Sequence, residues 1–165
     1  MEKVACFEKV SFRQFYGDLP EKYREDALAL YDVIVKPKRA TAGSAGYDFS
    51  LPYDLELKPG ETARIPTGIR CEILNGWVLQ IFPRSSLGFR YRLQLDNTVG
   101  IIDADYYHAA NEGHIQIQVT NNSDRQLSLK QGNRFAQGIF VPFGICVDDD
   151  ASAVRTGGFG STDQK

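Results

Sequence analysis

Between residues 31 and 142 the apolar side chains recur at every second position, in short runs separated by turn-forming residues. That spacing constrains the fold more than any other feature, because alternate side chains of a strand face opposite sides of a sheet, whereas a helix needs a repeat of about 3.6 residues. The clearest case is 115–120, where Ile115, Ile117 and Val119 alternate with Gln116, Gln118 and Thr120, the pattern of a half-buried strand. Further strands are expected at 32–36 before Pro37, at 53–58 before Pro59-Gly60, and as a pair within 63–74 broken near Pro66-Thr67-Gly68. Others are expected at 77–82, 126–129 and 135–142. Many short strands with turn signals about every ten residues, and no internal repeat, predict an all-β sandwich, jelly roll or barrel.

The two ends break the pattern. Residues 11–31 hold the one stretch with helical spacing. Ser11 can cap a short helix carrying Phe12, Phe15 and Tyr16, and Pro20 suits the first turn of a second with Tyr23, Ala27, Leu30 and Tyr31 on one face. Residues 1–30 therefore read as a helical extension packed on the sheet, and 31–147 as the β core. After Asp148-Asp149-Asp150 the chain contains Gly157, Gly158, Gly160 and a lone Phe159 with no core-forming period, so 148–165 is expected to be a mobile tail.

Composition works by exclusion. A chain of 165 residues is one domain large enough to bury a core without disulfides or metal. Its formal net charge of −2 offers no overall attraction to duplex DNA or a membrane. No apolar run approaches the roughly 18 residues of a membrane span, and the Met-Glu-Lys-Val start lacks the profile of a signal peptide. Cys6, Cys71 and Cys146 are odd in number and far apart, which fits reduced thiols in the cytoplasm rather than a disulfide framework or zinc site. His108 and His114 are too few for a histidine metal cage.

Several segments carry side chains suited to chemistry. Asp96-Asn97 suits a tight reversal between the apolar arms that flank it, and the return arm ends Ile101-Ile102-Asp103. A carboxylate held against an apolar wall gains strength as a general base; the other reading is a hairpin ending in an Asp-rich turn. Arg84-Ser85-Ser86 follows a strand through Pro83 and offers a cation, hydroxyls and free backbone N–H groups to phosphate, or forms an ordinary Ser-rich turn. Gln137, entering a strand after Gly132-Asn133-Arg134, can donate to a phosphate or satisfy a neighbouring strand. Ala45-Gly46-Tyr47-Asp48-Phe49 by itself indicates only a close-packed strand start. The most telling segment is Arg155-Thr156-Gly157-Gly158-Phe159-Gly160-Ser161-Thr162. Its glycines let the backbone lie against an anion, Arg155 supplies charge, and Ser161 and Thr162 supply donors. Phe159 has no apolar neighbours, so it is idle or meant for a flat ligand.

Taken in order, these segments resemble the five motifs of the homotrimeric dUTPase family, the deoxyuridine triphosphate nucleotidohydrolases. Residues 45–49 match the first, 83–88 the second, 100–106 the third, 132–137 the fourth and 155–162 the fifth. The resemblance implies a jelly-roll-like β-barrel assembled as a homotrimer, with active sites shared between subunits. It implies hydrolysis of dUTP to dUMP and pyrophosphate, which keeps uracil out of DNA and supplies dUMP. Asp103 would be the general base for the water attacking the α-phosphorus. Asn97, Gly100, Ile101 and Ile102 would read uracil, Tyr106 would close the sugar pocket against a 2′-hydroxyl, and Gln116 would join them in binding substrate. Arg84, Ser85, Ser86 and Gln137 would hold phosphates. Arg155, Gly160, Ser161 and Thr162 would close over them, with Phe159 stacked on uracil. Asp48 would support the site without touching metal, and Mg²⁺ would ride on the triphosphate and water.

Three departures from the family pattern stand out. Six residues, 107–112, lie between Tyr106 and Gly113 where the family usually has one, which predicts a small loop beside the sugar pocket. Asn133 replaces the usual Asp before Arg134, and Arg155 is one residue closer to Phe159 than in many members. Two rival readings accompany the resemblance. The dCTP deaminases share the Arg-Ser-Ser-Leu of 84–87 but need a Glu to shuttle protons, and the best-placed residue here is Gln118. A nucleotide-binding regulator on the same fold is the other; Asp103 and the complete fifth segment argue against lost catalysis.

Overall fold

Ile117 and Val119 are buried while Gln118 between them is exposed, as their spacing predicts. The computed structural model describes residues 2–153 together with Arg155 and Gly157, so the expectations placed on Phe159, Gly160, Ser161 and Thr162 lie outside the described residues. The chain begins with strand β1 (Ala5–Lys9), helix α1 (Phe12–Asp18), a 3-10 turn (Glu21–Tyr23) and helix α2 (Ala27–Asp32). Strands β2 (Lys38–Arg39), β3 (Tyr47–Ser50), β4 (Leu55–Leu57), β5 (Thr62–Pro66), β6 (Ile69–Ile73) and β7 (Trp77–Pro83) follow. Helix α3 (Ser85–Tyr91) leads to β8 (Leu93–Leu95), β9 (Gly100–Ile102) and a 3-10 turn (Ala104–His108). The chain closes with β10 (Gln116–Asn121), β11 (Leu127–Leu129) and β12 (Arg134–Pro142).

The all-β expectation holds. Among the described residues the ladders form four sheets, ordered β2-β3-β12-β7-β9, β5-β10-β8, β1-β6 and β4-β11, and none closes into a barrel. Their inner faces meet in one core that includes Phe15, Phe49, Ile65, Leu79, Leu127 and Phe135. No helix among the described residues is long and apolar enough to cross a membrane.

Several local expectations are corrected. No strand forms over 32–36: Asp32 ends α2, and the Ile34 N–H turns back to the Tyr31 carbonyl (3.2 Å). Residues 63–74 do contain two strands, but they do not pair with each other; β5 joins β10 and β6 joins β1. The N-terminal extension is not only helical, since β1 runs antiparallel to β6 from Ala5↔Ile73 to Lys9↔Ile69. Only Phe7 of β1 is buried, too little for an alternation to be read. Ser11 caps α1 as expected, its hydroxyl accepting from the Gln14 N–H (3.1 Å). The second expected helix is split into the Glu21–Tyr23 turn and α2, and Tyr23 stacks on Tyr53 at 4.0 Å. Helix α3 was not expected. Its seven residues bury only Leu87 and include Gly88, so no apolar stripe announces it.

Candidate active site

The segment that forms the site is a reversal whose arms separate. The Thr98 N–H bonds to the Leu95 carbonyl (2.9 Å), so Asp96 and Asn97 form the turn, but the left-handed residue is Thr98 (φ 65°) rather than either of them. The arms then part: β8 pairs with β10 and β9 with β7, in different sheets, so the expected hairpin is a splayed crossover. A cavity of about 370 Å³ opens between them, and that size suits a small organic ligand. Asn97, Gly100, Ile101, Ile102, Asp103, Tyr106, Gln116 and Arg155 all line it, which brings together half of the expected site residues. Gly100 lets the two strands approach closely there, since a Cβ would lie 3.0 Å from the Ile81 Cβ on the paired strand.

Asp103 is not sunk against an apolar wall. Its side chain is 46% exposed, and Oδ2 accepts from the Arg155 Nη2 (2.7 Å) while Arg155 Nε reaches Asp105 (2.9 Å). Arg155, expected on phosphates, therefore rests on a pair of carboxylates, and its guanidinium lies 5.9 Å from the Tyr106 ring centre. Tyr106 is buried, donates from its hydroxyl to the His114 carbonyl (2.8 Å) and accepts from Asn111 Nδ2 (2.7 Å). Burial raises its phenol pKa, partly offset by the Asn111 bond. Asp96, also in the cavity lining, is held by Gln118 Nε2 and Thr120 Oγ1, each at 2.6 Å.

Among the described residues, Arg84, Ser85, Ser86 and Gln137, also expected on phosphates, do not line this cavity. They gather where β3, β7 and β12 lie side by side. Asp48, buried on β3, accepts from Arg84 Nη1 and from Arg134 Nη1 (3.0 Å). Gln137, opposite Asp48 on β12, lies against Gly46: a Cβ on that glycine would be 2.7 Å from the glutamine oxygen. Ser85 and Ser86 begin α3, with Arg84 as its N-cap. Within one chain the expected site is thus in two halves.

A protein-family model described as dUTPase matches residues 32–163. The chain belongs to the dUTPase family. It is 43% identical over 129 residues to the deoxyuridine 5'-triphosphate nucleotidohydrolase of Lactococcus lactis subsp. lactis (strain IL1403), covering 76% of this chain and 86% of that one. The crystal structure of dUTPase from Streptococcus mutans superposes with a TM-score of 0.65 at 35% identity, over 85% of this chain and 97% of that one. A dUTPase from phage phi11 of S. aureus shares the fold at a TM-score of 0.65 and 19% identity, over 92% of this chain and 97% of that one.

For this dUTPase-family chain, sequence reading missed Arg64, Asp96, Asp105 and Asn111. Arg64 is the register partner of Gln118, and opposed residues on antiparallel strands share a face, but that pairing of β5 with β10 exists only in the folded chain. Gln118, where a deaminase would need an acid, is occupied with Asp96. Asp105 and Asn111 carried no local signal, because their roles depend on a tail arginine and a buried tyrosine placed by tertiary contacts.

Proposed function

We propose that this dUTPase-family protein hydrolyses dUTP to dUMP and pyrophosphate in an active site shared between the subunits of a homotrimer. The observation that carries this is the splayed reversal, which sets Asn97, Gly100, Asp103 and Tyr106 around one nucleoside-sized cavity. The main chain of Asn97, Gly100, Ile101 and Ile102 would read the uracil edge, with Gln116 nearby. The Tyr106 ring would pack under the sugar where a 2′-hydroxyl has no room. Asp103 would take a proton from water as its oxygen bonds to the α-phosphorus and the bridge to the β-phosphate breaks, releasing pyrophosphate.

The Arg84, Ser85, Ser86 and Gln137 half lies outside this cavity, which supports its completing a neighbour's site rather than its own. Exposed Phe89 and Ile145 are consistent with burial against further copies. Arg155 would exchange its carboxylates for phosphate oxygens as the 148–165 tail closes, with Phe159 on uracil and Gly160, Ser161 and Thr162 over the phosphates. Asp48 would brace Arg84. The cavity carboxylates are engaged by Arg155, Gln118 and Thr120, so the donor set fits Mg²⁺ carried by phosphates and water rather than caged by protein. When bound, that ion neutralises phosphate charge. Free Cys6, Cys71 and Cys146 suit the cytoplasm.

Pyrophosphate release from a panel of dUTP, dTTP, dCTP and UTP, with sizing of the protein, tests this reading. Turnover confined largely to dUTP is expected, and Asp103→Asn should lower it by roughly 10² to 10⁴ while nucleotide still binds. Turnover within about threefold of the parent would remove Asp103 from its role.

A further inference from the structure

The loop at 107–112 and the segment 8–18 meet beside the cavity wall that Tyr106 forms. We propose that Asn111 is a positioning residue: it fixes where the Tyr106 ring lies and so sets the discrimination between deoxyribo- and ribonucleoside triphosphates. The N-terminal extension braces the loop that carries it. This rests on the reading of Tyr106 as the wall against a 2′-hydroxyl.

The Tyr106 hydroxyl is held between a donor and an acceptor, Asn111 Nδ2 at 2.7 Å and the His114 carbonyl at 2.8 Å. Both come from the segment that follows the ring in sequence, so the shape of that segment decides where the ring can sit. Glu112 (φ 58°) and Gly113 (φ 68°) are consecutive left-handed residues that turn the loop back, an uncommon conformation for a glutamate. The glutamate's conformation is matched by a latch: its carboxylate accepts from Ser11 N–H (2.7 Å) and Ser11 Oγ (2.6 Å) at the start of α1. At the other end of the loop the Tyr107 hydroxyl donates to Glu8 (2.6 Å), with Arg70 lying 4.3 Å over its ring.

The third tie is His114. Its Nε2 accepts from the Gly68 N–H (2.8 Å), so the ring proton sits on Nδ1 and donates to Asp18 Oδ2 (2.6 Å). Glu8, Ser11 and Asp18 all lie before residue 32, where the family match begins. The extension and the loop are therefore one device, in which β1 and α1 clamp both ends of the loop and Asn111 passes the constraint to the ring.

Asn111→Asp tests this with little change of shape. It keeps the Oδ1 that accepts from Gly113 N–H (3.3 Å) but replaces the donor to Tyr106 by an acceptor, so the single hydroxyl proton can serve either the new carboxylate or the His114 carbonyl and one of the two bonds is lost. The ratio of kcat/KM for UTP to that for dUTP should rise about fivefold, the worth of one ordinary hydrogen bond. In a Tyr106→Phe background, which has no hydroxyl to hold, Asn111→Asp should leave the ratio unchanged. Glu112→Gln weakens the latch from the exposed side and should raise the ratio less, in the same direction; it also serves if Asn111→Asp does not fold. Loss of thermal stability alone does not move this ratio. A ratio unchanged in the folded variants, with the parent still cleaving dUTP, overturns the inference and leaves the functional reading standing. A parent that does not cleave dUTP overturns the functional reading itself.

Discussion

Asp48→Asn is the sharpest test of how the second half of the site is held. The Asp48 carboxylate is 6% exposed and lies between two guanidinium groups, Arg84 at 28% and Arg134 at 54% exposure. Asparagine keeps the shape but removes the negative charge between two positive ones, and its NH₂ faces one of them as donor to donor. Breaking a fully buried pair costs about 3–5 kcal/mol. Arg134 is half in water and Arg84 partly so, and both can swing outward, which lowers the expected loss to about 2 kcal/mol. For a chain of this size that is roughly 4–8 °C in Tm, readable by differential scanning calorimetry. The same variant should lower kcat/KM for dUTP by about tenfold, because an arginine no longer anchored must be ordered when it meets phosphate. Asp54→Asn is the control: its partner Lys130 is 73% exposed, so breaking that solvent-screened pair should leave the melting temperature nearly unchanged. If Asp48→Asn melts within about 1 °C of the parent and turns over dUTP as fast, Asp48 does not hold Arg84, and the role given to it in this half of the site is wrong.

Two further outcomes follow from the geometry. Gly113→Ala should destabilise by about 2–4 kcal/mol in urea titration, since a Cβ there would lie 2.7 Å from both the Tyr106 carbonyl oxygen and the Tyr107 Cα. Gly60→Ala, also left-handed but with open space around it, should cost only about 1 kcal/mol, and equal losses at the two sites would refute the close-approach argument. Acid stability should report Asp18: burial pushes its carboxyl up, but hydrogen bonds from His114, Gln14 and Gln116 outweigh that, so its folded pKa is lowered. A lowered folded pKa means stability present above the ordinary aspartate value of about 3.9 and lost as pH falls through the folded value. The Tm gap between parent and Asp18→Asn should therefore hold steady near neutral pH and close below about pH 4; a gap that widens on acidification contradicts the assignment. Glu8 and Glu112 are shifted the same way by Tyr107 and Ser11, but both are solvent-screened and should add little.

Much of this architecture is legible in the order of the amino acids alone. Alternation placed β4 to β7 and β10 to β12 close to their observed bounds, and Ser11 announced its own helix cap. These are properties of a few adjacent residues, set by side-chain direction and by which backbone groups a side chain can reach. The motif order around Asp103, Arg84 and Gln137 likewise pointed to the family from residue types and spacing. Helix α3 escaped because a seven-residue helix burying one side chain has no period to read. Strand partners are not local: nothing in 62–74 says that β5 turns to β10 and β6 to β1, and nothing in Asp96-Asn97 says that the arms on either side join different sheets. Asp103 shows the same division. Its place in the chain marks it as the candidate base, while its half-exposed setting and its bond to Arg155, fifty-two residues away, exist only once the chain has folded. Pattern in the chain determines which face each residue shows. Long-range packing alone decides what that face meets, because the energy of a contact depends on distance in space and not on separation along the backbone.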